Sequence, residues 1–341
     1  MNRRIFVAFI ICLLFSANGG FLHANDRVGA AWKSENFILP EGKIAYIDPV
    51  EGAIYEVNLD GLVTWKYQIP SKIQDKGNMR KGADIEWLDE SDHFLFVVPG
   101  GGVYEVNRKK EIVWSYETDS VSHDADRLPN GNTIFVNAWD RKGDNQVVEI
   151  TADGKIIFKW KISDSGVSCA HKTAQCYRPN RRGGPPGDYT HVNGIQKFED
   201  GSFLVSLRNL HKVALINRNL EVIQRHRRIR FVHDPRLQDG KLIAVARKQG
   251  MISREGKATT TKEDNSYIFK YQNEGYTFLR TNERISADLI LLTDSTHLLV
   301  FDRGSKKLVW KMKLNGFGDQ KKNKDRPFLY KAAWIGKKIK G

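Results

Sequence analysis

The sequence predicts an all-β chain, a six-bladed β-propeller, and three observations predict it. A phrase of strand, polar turn and second strand recurs along the 341 residues. Alternating β-branched and aromatic residues are punctuated by Asn, Asp and Gly, and no helical periodicity is sustained anywhere. Three histidines also hold one place within a second repeated phrase. At 40% hydrophobic and 28% charged residues, the chain is rich enough in apolar side chains to bury a full core.

The N-terminus reads as a targeting segment rather than as fold. Arg3 and Arg4 precede an apolar run from Ile5 to Phe15, and a short polar stretch reaches Ala24. That is a secretory signal pattern, so residues 1–24 are expected to be a signal peptide cleaved after Ala24. The apolar run is too short to span a bilayer, which takes about 20 residues. The expectation is therefore a periplasmic or secreted protein, with residues 25–341 forming a single propeller domain.

The repeated hairpin sets the architecture. Its copies are YEVNLDGLVTW from Tyr55, YEVNRKKEIVW from Tyr104 and VEITADGKIIF from Val148. Looser copies are ALINRNLEVIQ from Ala214, IFKYQNEGYTF from Ile268 and LVFDRGSKKLVW from Leu299. Their Asn/Asp/Gly-rich centres suit hairpin turns. Six copies at roughly 50-residue spacing match a propeller of four strands per blade. Trp65, Trp114, Trp160 and Trp310 fall on the second strand of the hairpin, where packing between blades is expected. The segment YKAAWIG, Tyr330 to Gly336, resembles the opening strand GADIEWL, Gly82 to Leu88. It is expected to close the ring by supplying an inner strand to the first blade, removing sheet edges that invite aggregation.

Between the third and fourth copies lies a Gly/Pro-rich insertion, residues 163–189, expected to be a loop over the site. It carries Cys169 and Cys176, the cysteines left once Cys12 departs with the signal. In an exported protein the pair predicts a disulfide, worth about 2.5 kcal/mol in the chain-entropy model. A metal site with His171 is the other reading, and its spacing is not a standard zinc pattern. The formal charge of +14 is concentrated partly in a basic C-terminal segment carrying Lys321, Lys322, Lys324, Arg326, Lys337, Lys338 and Lys340. That segment reads as a solvated face or as a peripheral contact with acidic surfaces. No nucleic-acid recognition module is visible, so nucleic acid is not an expected partner.

The chemistry is expected at the histidines. His123 stands in SHDADRLPNGNTIFV, His191 in THVNGIQKFEDGSFLV and His233 in VHDPRLQDGKLIAV, each before a strand, a Gly turn and a second strand. On innermost strands they would share one mouth of the central channel. Arg208 lies seven residues past Gly201 and Arg247 seven past Gly240, which puts two guanidinium groups in register. Asn193 follows His191 by two, the spacing for one face of a strand. Imidazole, guanidinium and amide groups together suit a tetrahedral oxyanion. His93, His171, His211, His226 and His297 show no such register. The Gly100–Gly102 run lacks the Lys-Ser/Thr of a phosphate loop, and GxSxG, HExxH and EF-hand patterns are missing.

HDADRLPNGNTIFV, THVNGIQKFEDGSFLVSLRN and VHDPRLQDGKLIAVAR resemble the inner-strand motifs of the bacterial arylsulfotransferases. The resemblance runs from about Lys43 to Leu314 and is most specific from His123 to Arg247. It implies a six-bladed periplasmic propeller that moves a sulfuryl group from an aryl sulfate to a phenol, with no cofactor and no metal. It also implies that His233 is the nucleophile, with His123, His191, Asn193 and Arg208 holding the sulfuryl oxygens. Well-known members carry an extra N-terminal β-sandwich domain for which this chain has no room, so a compact member is expected. A disulfide-closed loop occurs in the family, and the Cys169/Cys176 loop would be its counterpart. Two other readings of the same residues stay open: a binding or scaffold propeller without chemistry, and a metal-dependent hydrolase or lyase with the three histidines as ligands.

Overall fold

A strand covered on both faces needs apolar residues at successive positions, not at alternate ones. FLFVV, Phe94 to Val98, is such a run, and all five residues are buried. A computed structural model explains the pattern. It describes residues 27–35, 37–137, 144–167, 189–227, 229–246, 250–255, 266–269, 279–318 and 327–336.

The strands are β1 (Val28–Lys33), β2 (Lys43–Asp48), β3 (Ala53–Asn58), β4 (Val63–Gln68), β5 (Ile85–Leu88), β6 (His93–Val98), β7 (Gly102–Val106), β8 (Ile112–Tyr116), β9 (Ala125–Arg127), β10 (Thr133–Val136), β11 (Val147–Ile150) and β12 (Ile156–Trp160). There follow β13 (Val192–Lys197), β14 (Phe203–Leu207), β15 (Lys212–Ile216), β16 (Val222–Arg227), β17 (Val232–Gln238), β18 (Lys241–Ala246), β19 (Gly250–Glu255), β20 (Ser266–Phe269), β21 (Thr281–Arg284), β22 (Leu289–Thr293), β23 (His297–Asp302), β24 (Lys307–Leu314) and β25 (Ala332–Ile335). The fold is an all-β β-propeller. The described strands pair antiparallel in six sheets, ordered β25-β2-β3-β4, β5 to β8, β9 to β12, β13 to β16, β17 to β20, and β21 to β24 with β1 outside. The edge strands β25, β5, β9, β13, β17 and β21 touch one another in that order and return to β25, so they surround the axis.

Each sheet buries both faces against its neighbours. In β2, Ile44 and Tyr46 pack toward the sixth sheet, while Ala45 and Ile47 pack toward the second. The same two-sided alternation supplies separate apolar cores at the remaining junctions. The second strands of the repeated hairpin add a latch. The indole N–H of Trp65 donates to the Arg108 carbonyl (3.2 Å), that of Trp114 to Ala152 (2.7 Å) and that of Trp310 to Leu59 (2.8 Å). Each reaches the corresponding turn of the next sheet. Trp160 packs edge-on to Phe203 of the fourth sheet at 5.8 Å.

Ring closure is double. β25 pairs with β2, from Lys43↔Ile335 to Tyr46↔Ala332, so the C-terminal segment is the inner strand of the first sheet. β1 pairs with β24 and adds a fifth strand to the sixth sheet, which the sequence pattern did not reveal. One hairpin copy is corrected. Ile268 and Phe269 end the outermost strand β20 instead of opening a third-and-fourth-strand hairpin, which β19 and β20 provide. An apolar alternation of this length fixes strand character but not rank within a sheet. The signal segment, Arg247, the Cys169/Cys176 pair and the basic residues Lys321, Lys322, Lys324, Arg326, Lys337, Lys338 and Lys340 lie outside the described residues, as does most of the 163–189 insertion.

Candidate active site

The three predicted histidines stand at the start of inner strands in consecutive sheets. His123 lies two residues before β9, His191 directly before β13, and His233 is the second residue of β17. The structure brings them together. The His123 and His191 rings are 5.0 Å apart. Tyr330, two residues before β25, stacks on His123 at 4.8 Å and lies 6.3 Å from His233. His123, His233 and Tyr330 are buried, and His191 is half-buried.

Backbone carbonyls fix which imidazole nitrogen carries the proton. His233 Nδ1 lies 2.7 Å from the Phe231 carbonyl, and His123 Nδ1 lies 3.2 Å from the Gly82 carbonyl. A carbonyl only accepts, so each Nδ1 is the donor and Nε2 carries the lone pair. Both rings are held well below the ordinary imidazole pKa. For His233 the causes are burial, then Arg280 and Arg208, with a smaller contribution from His191. For His123 they are burial, then His191, Arg208 and Arg280. Both are neutral at pH 7. Burial also raises the Tyr330 hydroxyl, which stays protonated as a neutral donor.

The cations come from two sheets. Arg208 begins a 3₁₀ turn after β14, with its guanidinium over Phe231 at 5.1 Å and Nη1 donating to Asn209 Oδ1 at 2.9 Å. Arg280 precedes β21 and lies over the Phe328 ring at 4.4 Å and the Tyr330 ring at 5.5 Å. Asn193 is buried in β13, with Oδ1 accepting from Ser206 Oγ at 2.6 Å and Nδ2 left without a partner. The simple period-two link between His191 and Asn193 is corrected. His191 has a φ of +50°, and the β13–β14 register shifts between Val192 and Ile195. Neither spacing nor pleat therefore carries one side chain onto the other's face.

Backbone strain collects here. His191, His211, Phe231 and Asp234 all have positive φ, at 50°, 56°, 49° and 41°. Such non-glycine conformations persist where surrounding structure enforces them, and they cluster at functional sites. Gly82 has a φ of +105°, and a Cβ there would lie 2.7 Å from His123 Nδ1 and 2.9 Å from Tyr330 Cδ2. Only glycine lets that carbonyl approach the imidazole.

Sequence reasoning missed Arg280, Phe328 and Tyr330. Arg280 stands directly before its inner strand as His191 does before β13, and a search by inner-strand position rather than by residue type finds it. Tyr330 opens the closing segment that was recognised only as structure. Among the described residues, no group of three or more His, Cys, Asp or Glu side chains is placed to hold a metal ion.

A sequence model described as Arylsulfotransferase (ASST) matches residues 48–233. No curated protein matches the chain significantly. Among solved structures, the chain is similar to a protein of unknown function from Bacteroides caccae, with a TM-score of 0.60 at 13% identity over 87% of this chain and 100% of that one. It is also similar to the Myceliophteria thermophila Cps50 (Swd1) β-propeller domain, with a TM-score of 0.51 at 13% identity over 85% of this chain and 90% of that one. At these identities the likeness concerns the fold alone.

Proposed function

The chain belongs to the arylsulfotransferase family, and from that premise we propose that it moves a sulfuryl group from an aryl sulfate to a phenolic acceptor through a sulfohistidine at His233. The observation that carries this is the His233 ring itself. It is neutral, its Nδ1–H is committed to the Phe231 carbonyl, and guanidinium groups stand beside it.

The Nε2 lone pair of His233 attacks sulfur, the sulfur–oxygen ester bond breaks, and its electron pair leaves on the phenolate. The transition state is loose, by analogy with phosphoryl transfer, so positioning and charge stabilisation dominate. Arg208, Arg280 and the Asn193 Nδ2 donor face the sulfuryl oxygens, with His191 at their side. In the second half, the neutral His123 Nε2 takes the hydroxyl proton of the acceptor phenol and later releases it to solvent. The phenolate oxygen attacks sulfur, the nitrogen–sulfur bond breaks, and the lone pair returns to His233. Tyr330 and Phe328 offer aromatic faces to the aryl group.

The six sheets, each with its own inner strand around the axis, support a six-bladed count. A cleaved signal over residues 1–24, a periplasmic or secreted location and a Cys169–Cys176 disulfide complete the reading and rest on sequence pattern. The test is transfer from para-nitrophenyl sulfate to phenol. Parallel double-reciprocal plots are expected, with loss of about 1,000-fold or more in His233→Ala. An active wild type with an unimpaired His233→Ala contradicts the role of that residue.

A further inference from the structure

Directly below the histidines lies a layer of carboxylates that the chemistry does not use. Asp124 follows His123, Asp234 follows His233, and Asp84 lies two past Gly82, whose carbonyl receives His123. All three are buried. Each carboxylate crosses to the inner strand of another sheet and accepts a backbone N–H there. Asp84 Oδ2 takes Ala125 N–H at 2.9 Å, Asp124 Oδ2 takes Ile195 N–H at 2.6 Å, and Asp234 Oδ2 takes Asn282 N–H at 2.7 Å.

The landing points follow one rule. Ala125 is two residues past His123, Ile195 two past Asn193, and Asn282 two past Arg280. Asn282 Nδ2 donates back to the Asp234 carbonyl at 2.9 Å, which doubles that link. The second oxygens face cations, Lys331 buried and Arg236 partly exposed. Lys331 pairs with Asp124 and lies 3.3 Å from Asp84, and Arg236 lies 3.1 Å from Asp234. Burial opposes the Lys331 charge, but Asp124, Asp84 and Asp234 together raise its pKa above the ordinary value. Lys331 adjoins Tyr330, so the closing strand is tied into the same layer.

We infer that Asp124 and Asp234 are positioning residues, each holding the inner strand of the next sheet so that the cationic and amide groups on it stand at a fixed distance from the histidine just before the carboxylate. The inference rests on the sulfuryl-transfer reading of the histidine cluster. Asp124 sets the spacing of His123 from Asn193, and Asp234 sets that of His233 from Arg280. The physical need is plain. The groups belong to different sheets and the sheets meet through apolar contacts, which are not directional. A misplacement of about 1 Å lowers a rate by about 100-fold.

The test uses the whole chain. Asp124→Asn and Asp234→Asn keep an acceptor oxygen at the clamp, and Asp124→Ala and Asp234→Ala remove it. Each variant is read by hydrogen exchange at the Ile195 and Asn282 amides and by kcat and KM for transfer from para-nitrophenyl sulfate to phenol. The alanine variants are expected to exchange at least about 10-fold faster at the released amide. Their kcat is expected to fall about 100-fold while KM stays within about threefold. The asparagine variants keep an acceptor but give up the charge that faces Lys331 or Arg236, so they are expected between wild type and alanine on both readouts. Alanine variants that keep protection and kcat overturn the inference, as do asparagine variants that lose as much as alanine. Should the alanine variants not fold, Asp124→Glu and Asp234→Glu keep the charge and displace the acceptor by one methylene. The same loss of kcat is then expected, and wild-type kcat overturns the inference. A wild type that transfers nothing contradicts the sulfotransferase reading alone, since the exchange measurement still decides the clamp.

Discussion

One channel holds two layers of buried polar groups, one residue step apart along the same strands. His123 and His233 point into the first, and their neighbours Asp124 and Asp234 into the second. Burial lowers the two imidazoles of the upper layer, and beside the lower one it raises the Asp84 carboxyl to about 8 against the Lys331 charge and the carboxyl of Asp126, two residues past Asp124, to about 7. The Asp126 shift comes from burial and then from the Asp124 charge, and Arg236 and Lys331 oppose it. The layers differ in what is left over. In the lower one each clamping carboxylate has a backbone donor and a cation. In the upper one His233 keeps an Nε2 lone pair and Asn193 keeps an unpaired Nδ2. A buried donor without a partner costs stability, about 1–3 kcal/mol, and in the proposed function the sulfuryl oxygens would supply the partner of Asn193 Nδ2.

That contrast can be broken from either side. The largest effect in the upper layer, short of losing the nucleophile, is expected from the cations. Arg280→Gln and Arg208→Gln should each lower kcat by about 100-fold or more, as removal of one oxyanion donor does, measured in the para-nitrophenyl sulfate assay. Next comes Gly82→Ala, which forces a Cβ against His123 and Tyr330. It should cost about 100-fold in kcat through displaced rings, with the loss greater than any change in KM.

The pH profile sharpens the comparison. His233 reacts as the neutral ring, and its pKa lies below the ordinary value of about 6.5. The acid limb of kcat/KM should therefore fall only as pH drops through that lowered value. Arg280→Gln removes a cation that disfavours the imidazolium, so its limb should move to higher pH while staying below the ordinary value because burial remains. The smallest effect lies far from both layers. Trp114→Phe loses the bond to the Ala152 carbonyl and should cost about 1 kcal/mol in denaturant unfolding, with unchanged kcat.

Much of this was legible in the sequence. The hairpin phrase gave strands and turns because β-branched and aromatic residues alternate around Asn, Asp and Gly, and the match of Tyr330–Gly336 to Gly82–Leu88 led to the closing strand. The histidines were found because a repeat fold places equivalent residues around one axis. What escaped was what another sheet supplies. Arg280 is no histidine, and Tyr330 read as a strand opening. β1 has little burial to announce it, with a partly exposed pattern throughout. The carboxylate clamps were invisible for the same reason, since their partners are backbone N–H groups, which leave no letter in a sequence.

The central claim is a covalent one, and it is tested most directly by mass spectrometry of the chain after incubation with para-nitrophenyl sulfate and no acceptor. The account predicts one sulfuryl group on the peptide that contains His233, discharged when phenol is added. A sulfuryl group on His123 or His191 instead, or none on an enzyme that turns over, would contradict it.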